Sequence, residues 1–393
     1  MSHALLLDAS FSAVPIYESL KRWGCDVHVM SSRPQDPLAQ RSAYYIEADY
    51  SDSQALSRAL AETEFDFLVP GCTDVSYEMC CAVGGGRFRG LEQLETLAQL
   101  HRKDDFRALC ADLALPSPRL YNSVVEAVES GNSIIVKPVD AFSGRGLVTL
   151  LEPDAAALSD ALESAIQHSA VGEALMEEYV VGNLQSYSAF LHDGKVAQAF
   201  SVAEFCSMNP YVVDTSYVLD DNPWEEPLIN DVEKIAAESG IKSGLMHLQY
   251  IANEDQYWLI ELTRRCPGDL YSKLIELSTG YPYADAYVSA FTGRQLPQRD
   301  FRKKTESVVR HTVTGRTTGY LESVAMKLNS QMVAWFPLAP AGAYLEPSPG
   351  GRVGVGFLRA VDTKQRDQLL KDILSGDVFW LNYAHQHHAD TTQ

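Results

Sequence analysis

The stretch Gly244–Asp269, GLMHLQYIANEDQYWLIELTRRCPGD, decides the fold. Residues 244–252 and 257–263 are apolar runs of strand length, and Asn253-Glu254-Asp255-Gln256 between them reads as a turn. A hairpin centred near Asp255 sets Gln249 opposite Glu261 and His247 opposite Thr263. Strand alternation then puts all four on one face. A carboxylate such as Glu261 within an apolar strand is costly unless it is paired. A metal ion would satisfy it, and so would Arg265, two positions beyond Thr263 on the same side. A buried Glu–Arg ion pair is the plainer reading of the same pattern.

Two more segments upstream carry chemistry. Ile134–Leu147, IIVKPVDAFSGRGL, ends a buried strand on Lys137 and enters a loop of small residues. Glycines let backbone N–H groups approach a phosphate closely, and a lysine adds a point charge. The loop is not a Walker A sequence, and a hairpin turn with a snorkelling lysine is its bland reading. Met176–Gly182, MEEYVVG, is an edge-like strand running into a loop. Its backbone suits an adenine edge and its carboxylates a ribose, whereas the bland reading is a strand with two solvated glutamates.

The flanking chain fits an α/β and α+β multidomain protein. Residues 4–8, 26–30 and 65–70 read as strands and 14–23 and 54–62 as helices, which means βαβ units and a parallel sheet. This predicts a Rossmann-like domain over residues 1–100, although no GxGxxG follows the first strand. Gly84-Gly85-Gly86 reads as a loop. His101–Leu113 reads as one helix stopped by Pro116-Ser117-Pro118. Residues 186–192 and 195–203 flank Asp193-Gly194, a hairpin signal. A helix is expected over 231–239, and residues 204–225 read as a polar-aromatic loop lining an acceptor site. Residues 301–393 read as a mostly β C-terminal α+β subdomain with a helix near 363–374.

Taken jointly, these segments resemble the ATP-grasp superfamily, over roughly residues 1–300. A lysine opens a helix (Lys103), a second lies on the V-K-P strand (Lys137), and the small-residue loop, the E-E-Y-V strand and the paired strands ending Glu261-Leu262-Thr263-Arg264-Arg265 follow in order. The segment Arg265-Cys266-Pro267-Gly268-Asp269 is similar to the carboxylate–amine ligase branch, which includes L-amino acid ligases. The resemblance implies an ATP-grasp domain over 101–300 with a small lid subdomain over about 115–185. It implies ATP and Mg²⁺ (with Mn²⁺ as an alternative ion). Lys103, Lys137 and the loop Ser143, Gly144, Arg145 and Gly146 would face phosphates. Glu178 and Val180, with Glu177 or Gln185, would hold adenine and ribose. Glu261, Gln249 and Thr263 would hold metal. Gln249 stands where the family usually has an acid and Thr263 where it usually has Asn, so one formal negative charge is missing. Arg265 and Lys137 would be catalytic. Gly268, Asp269, Tyr271, Arg310 and His311 are candidate substrate contacts. The implied reaction is transfer of a phosphoryl group from ATP to a carboxylate, then attack by an amine on the acyl phosphate. The alternatives are a bicarbonate-activating carboxylase and a catalytically silent nucleotide binder. Small-molecule carboxylate and amine partners follow, and a homodimer is an expectation of the same kind.

Composition narrows the setting. The chain has 393 residues and a net charge of −20, from 32 basic and 52 acidic side chains. Such a balance argues against nucleic-acid and anionic-membrane partners, both of which reward a basic face. An anionic ligand then requires the cations to be concentrated, and Lys103, Lys137, Arg145 and Arg265 are the candidates. The seven cysteines (25, 72, 80, 81, 110, 206 and 266) are odd in number and contain no CxxC, which argues against a zinc site or disulfide framework and for a reducing cytoplasm. The N-terminus reads as a first strand, not a signal peptide. His385, His387 and His388 read as part of a disordered polar end.

Overall fold

A computed structural model describes residues 2–140, 144–296, 306–327, 331–348 and 350–384. The chain divides into two compact units: residues 1–203 with 219–303, and residues 204–218 with 304–393.

In the first unit, strands β1 (Ser2–Leu7), β2 (Cys25–Ser31), β3 (Tyr44–Glu47) and β4 (Phe67–Pro70) form a parallel sheet in the order β3-β2-β1-β4. Helices α1 (Val14–Arg22), α2 (Pro37–Arg41), α3 (Ser53–Glu62) and α4 (Asp74–Gly84) alternate with them. Leu5, Leu7, Met30 and Leu68 bury one face of this sheet against Leu56 and Cys80. Gly84, expected in a loop, is the last residue of α4.

The expected single helix over 101–113 is two helices, α5 (Leu94–His101) and α6 (Lys103–Asp112). Arg102 between them is extended, at φ −73° and ψ 132°. Its guanidinium pairs with Asp104 (2.8 Å) and Asp105 (3.4 Å), which sit in the first turn of α6, where the helix dipole favours negative charge. The break makes Lys103 the first residue of α6.

Strands β5 (Leu120–Tyr121), β6 (Ile134–Pro138), β7 (Val148–Leu150) and β8 (Ala174–Glu178) form a small antiparallel sheet in the order β5-β8-β6-β7. Helices α7 (Val124–Ser130) and α8 (Ala155–Gln167) cover it through Ala127, Leu158 and Ala161. A further antiparallel set joins β9 (Asn183–His192), β10 (Lys195–Phe205), β12 (Gly244–Ala252) and β13 (Tyr257–Thr263). The β9–β10 turn is Asp193-Gly194, both at positive φ (51° and 76°), as a two-residue hairpin requires. Helix α9 (Glu225–Glu238) starts earlier than expected, with Glu225 and Glu226 in its first turn. Helices α10 (Tyr271–Thr279) and α11 (Tyr283–Thr292) complete the unit.

In the second unit, β11 (Thr215–Val218), β14 (Ser307–Thr314), β18 (Arg352–Ala360) and β16 (Gln331–Pro337) pair in that order. Strand β15 (Gly319–Met326) lies between β17 (Tyr344–Leu345) and β19 (Phe379–Tyr383). Helix α12 (Thr363–Leu374) packs Leu369 and Ile373 on Val309 and Leu358. The stretch 204–225 is therefore not one loop. It contains β11, and buried Asp214 ties down its turn by accepting from the Ser207 backbone (2.8 Å) and hydroxyl (2.7 Å).

Candidate active site

Strand β6 delivers Lys137 to a buried position, 5% exposed, where it meets Glu177 from β8 and Arg107 from α6. Lys137 Nζ pairs with Glu177 Oε2, and Arg107 Nε lies 2.7 Å from Glu177 Oε1. Arg107 also donates from Nη2 to the Ile260 carbonyl of β13 at 2.8 Å, which fixes the guanidinium. Two cations share one carboxylate, so the buried group carries a net charge of +1. Burial pulls the Lys137 ammonium down to about 8; Glu177 opposes that shift, while Arg107 and Lys103 add to it. Burial alone would raise Glu177, but the two cations outweigh it and hold the carboxyl below its ordinary range. Glu177, expected with Gln185 as a candidate for the ribose, has its two carboxylate oxygens against Arg107 and Lys137.

The β12–β13 register matches the sequence reading, with His247 opposite Thr263 and Gln249 opposite Glu261. Buried His247 is pulled down to about 3 by desolvation, and its Nδ1 lies 2.7 Å from the Ser188 hydroxyl. Arg265 does not pair with Glu261. Its Nε donates to Asp74 Oδ1 at 2.8 Å, at the start of α4. The Thr263 hydroxyl donates to the same oxygen (3.1 Å) and accepts from the Arg265 backbone N–H (3.3 Å). Burial would raise Asp74, yet Arg265 and these hydrogen bonds hold it below the usual carboxylate range. Thr263 thus belongs to the frame around Arg265 and keeps one acceptor position open.

Arg264 is a further anchor. Its Nε (3.1 Å) and Nη2 (2.5 Å) both reach Glu92 Oε1, and its backbone N–H donates to His101 Nε2 at 3.1 Å. Burial pulls His101 down to about 4, so it accepts as a neutral ring. None of Asp74, Glu92, His101 and Arg107 was singled out from sequence. The one available signal was Lys103-x-x-x-Arg107, an i,i+4 spacing that shares a helix face.

A cavity of about 200 Å³ lies among these elements, lined by Lys103, His101, Asp140 and Glu261 together with Asp74 and Glu78 of α4. Lys103, Lys137, Glu261 and Arg265 therefore gather in one region. Gly144 (φ 71°) and Gly146 (φ 70°) both adopt the left-handed backbone, and Arg145 between them is exposed. Ser143 lies outside the described residues. A side chain at Gly146 would meet His168 Cβ at 2.6 Å. Glu178 ends β8, its backbone N–H donating to the Arg119 carbonyl (2.9 Å), and Val180 is buried just beyond. Gln185 accepts from the Tyr250 hydroxyl at 2.5 Å. Asp269 (φ 52°) and Leu270 (φ 57°) are consecutive left-handed residues following Gly268, and the Asp269 N–H donates to Ser12 Oγ at 3.2 Å. Tyr271 is buried edge-on to His247 at 5.1 Å. Arg310 and His311 lie on β14 in the second unit, where Arg310 Nε donates to Ser216 Oγ (2.9 Å) and His311 Nδ1 lies 2.8 Å from Thr215 Oγ1.

No protein-family model matches the sequence. The N-terminal section of the carbamoyl phosphate synthase large chain from Methanopyrus kandleri is 23% identical over 246 residues, 58% of this chain. The chain spans 40% of that relative's length. Phosphoribosylglycinamide synthetase from Anaerococcus prevotii superposes with a TM-score of 0.77 at 16% identity, covering 98% of this chain and all (100%) of the other. L-amino acid ligase from Bacillus licheniformis gives 0.76 at 15% identity, over 98% and 99%. The chain has the ATP-grasp fold. The biotin carboxylase domain of Hydrogenobacter thermophilus 2-oxoglutarate carboxylase, solved with MgADP and bicarbonate, gives 0.76 at 13% identity, over 98% and 91%. Likenesses at these identities show the fold alone. Among the described residues no helix is long and apolar enough to cross a membrane.

Proposed function

We propose that this chain is an ATP-dependent ligase that activates a carboxylate as an acyl phosphate and couples it to an amine. The observation that carries the reading is the buried Arg107–Glu177–Lys137 group, whose net positive charge calls for an anion and whose lysine sits one strand-end from the left-handed glycines at 144 and 146. Lys103 and Lys137 hold the phosphates of ATP, with backbone N–H groups of the 144–146 loop and Arg145. The strand end at Glu178 and Val180 lies along the adenine, and Gln185 lies near the ribose.

The donor set fits one magnesium ion. Mg²⁺ commonly takes one or two carboxylates and completes its shell with phosphate oxygens and water. Glu261 supplies the carboxylate and Gln249 an amide oxygen from the opposite strand, with the remaining acceptor position of Thr263 nearby. Held there, the ion would supply positive charge against the phosphates of ATP. Arg265, aligned by Asp74, stabilises negative charge developing on the phosphoryl group and on the tetrahedral adduct. Residues 115–185 form the lid that keeps water from the acyl phosphate.

Bicarbonate activation is the second reading, favoured by the Hydrogenobacter fold relative solved with bicarbonate. ADP release measured against an amino-acid panel and against bicarbonate separates the two. Lys137→Ala or Glu261→Ala abolishes turnover with the fold intact under this proposal. Near-normal ADP release from either variant would sink it.

A further inference from the structure

The cavity lined by Lys103 and Glu261 also presents Glu78, which the phosphate chemistry does not use. Helix α4 lines it with Asp74 and, one turn later, Glu78. The spacing of four residues places both on one helix face, roughly 6 Å apart along the axis. Asp74 is occupied by Arg265 and Thr263. Glu78 has no hydrogen-bond or ion-pair partner among the described residues. Burial, with the Asp74 charge beside it, pushes its carboxyl up. It does not belong to a metal cluster, since among the described residues no three His, Cys, Asp or Glu side chains are placed to hold an ion. Leu94, Leu97 and Ala98 from α5, with Val139 and Leu262, give the wall an apolar part, and Arg102, Lys103, His101, Asp140 and Glu261 complete it. At about 200 Å³ the space equals roughly seven water volumes.

We propose that Glu78 receives the ammonium group of the amine substrate and takes up the proton that this group loses before it attacks the acyl phosphate, and that the substrate is a compact amine with a small apolar body lying along α5. The proposal rests on the ligase reading and deepens it. A carboxylate without a cation in a half-buried cavity is a standing cost that an ammonium ligand removes. Bicarbonate, an anion, would meet Glu78 with like charge. Glu78 is a specificity residue one helical turn from Asp74, which anchors Arg265.

The test uses two probes of equal shape and opposite charge, isobutylamine and isobutyrate, with the full chain and Glu78→Gln. Binding is followed by calorimetry and by thermal melting. Isobutylamine should bind the wild type and lose about tenfold or more in affinity with the variant, as expected for a charge-assisted hydrogen bond. Isobutyrate should bind neither. The melting temperature of Glu78→Gln should hold or rise, because a desolvated charge is removed; a purely structural role would lower it. In turnover, the variant should raise KM for the productive amine with KM for ATP unchanged. Equal binding of isobutylamine to both proteins, no binding to the wild type, or preference for isobutyrate would overturn the proposal. Amine-dependent ADP release with an unchanged amine KM in the variant refutes Glu78 alone. Charge-selective binding without any amine-dependent ADP release refutes the ligase reading and leaves an ammonium site.

Discussion

Replacing Lys137 by Met and Glu177 by Gln should move stability in opposite directions. In the wild type the net shift of Lys137 from 10.5 to about 8, led by burial and partly offset by Glu177, corresponds to about 3 kcal/mol against keeping it charged. Lys137→Met removes that cost and leaves Arg107 and Glu177 as a balanced pair at 2.7 Å. Its stability at pH 7 should equal or exceed the wild type, while ATP turnover is lost. Glu177→Gln leaves two buried cations without a counter-ion. It should cost about 3–5 kcal/mol and lower the melting temperature by roughly 10 °C. The pH dependence supplies the sign. Between about pH 8 and 10.5 the unfolded chain still binds the lysine proton that the folded chain has released. Wild-type stability should therefore rise with pH across that window, by up to about 3 kcal/mol, and Lys137→Met should lack the rise. Over the same window kcat/KM for ATP should fall, because neutral Lys137 no longer attracts phosphate. Urea unfolding at pH 7 to 10.5 with ADP release at each pH measures both. Parallel stability curves for wild type and Lys137→Met, or an undiminished Glu177→Gln, would refute the shared-carboxylate account.

Other consequences are equally direct. Asp74→Asn frees the Arg265 side chain, and kcat should drop about a hundredfold with KM for ATP little changed, read from steady-state ADP release. Glu261→Gln should raise the Mg²⁺ concentration needed for half-maximal activity, in a metal titration at fixed ATP, without changing the melting temperature by more than about 2 °C. Gly146→Ala combines a positive φ of 70° with a contact at 2.6 Å to His168, so it should weaken nucleotide binding by calorimetry as the loop shifts.

The parts of the site built from local pattern were legible in the sequence. The Gln249–Glu261 register follows from strand alternation about a short turn, and Lys137 from its place at a strand end before a small-residue loop. What the sequence hid is tertiary. Asp74 and Arg265 meet across 191 positions of chain, and neither residue has a local reason to announce the other. Arg107 reads as a helix cation until β6 and β8 bring Lys137 and Glu177 against it. The single-helix expectation over 101–113 failed because Arg102 is extended, which divides the segment into α5 and α6. The loop expectation over 204–225 failed because pairing with β14 makes β11 a strand, a non-local effect that propensity does not carry.

The claim at the centre is amine-dependent ligation driven by ATP. ADP release from Mg·ATP, measured with wild type across pairs of amino acids and with bicarbonate, together with product mass, tests it in one measurement. The account predicts ADP formed in step with a condensed amide product and abolished in Lys137→Met. Bicarbonate-dependent ADP release without an amide, or nucleotide binding with no turnover on any pair, would contradict it.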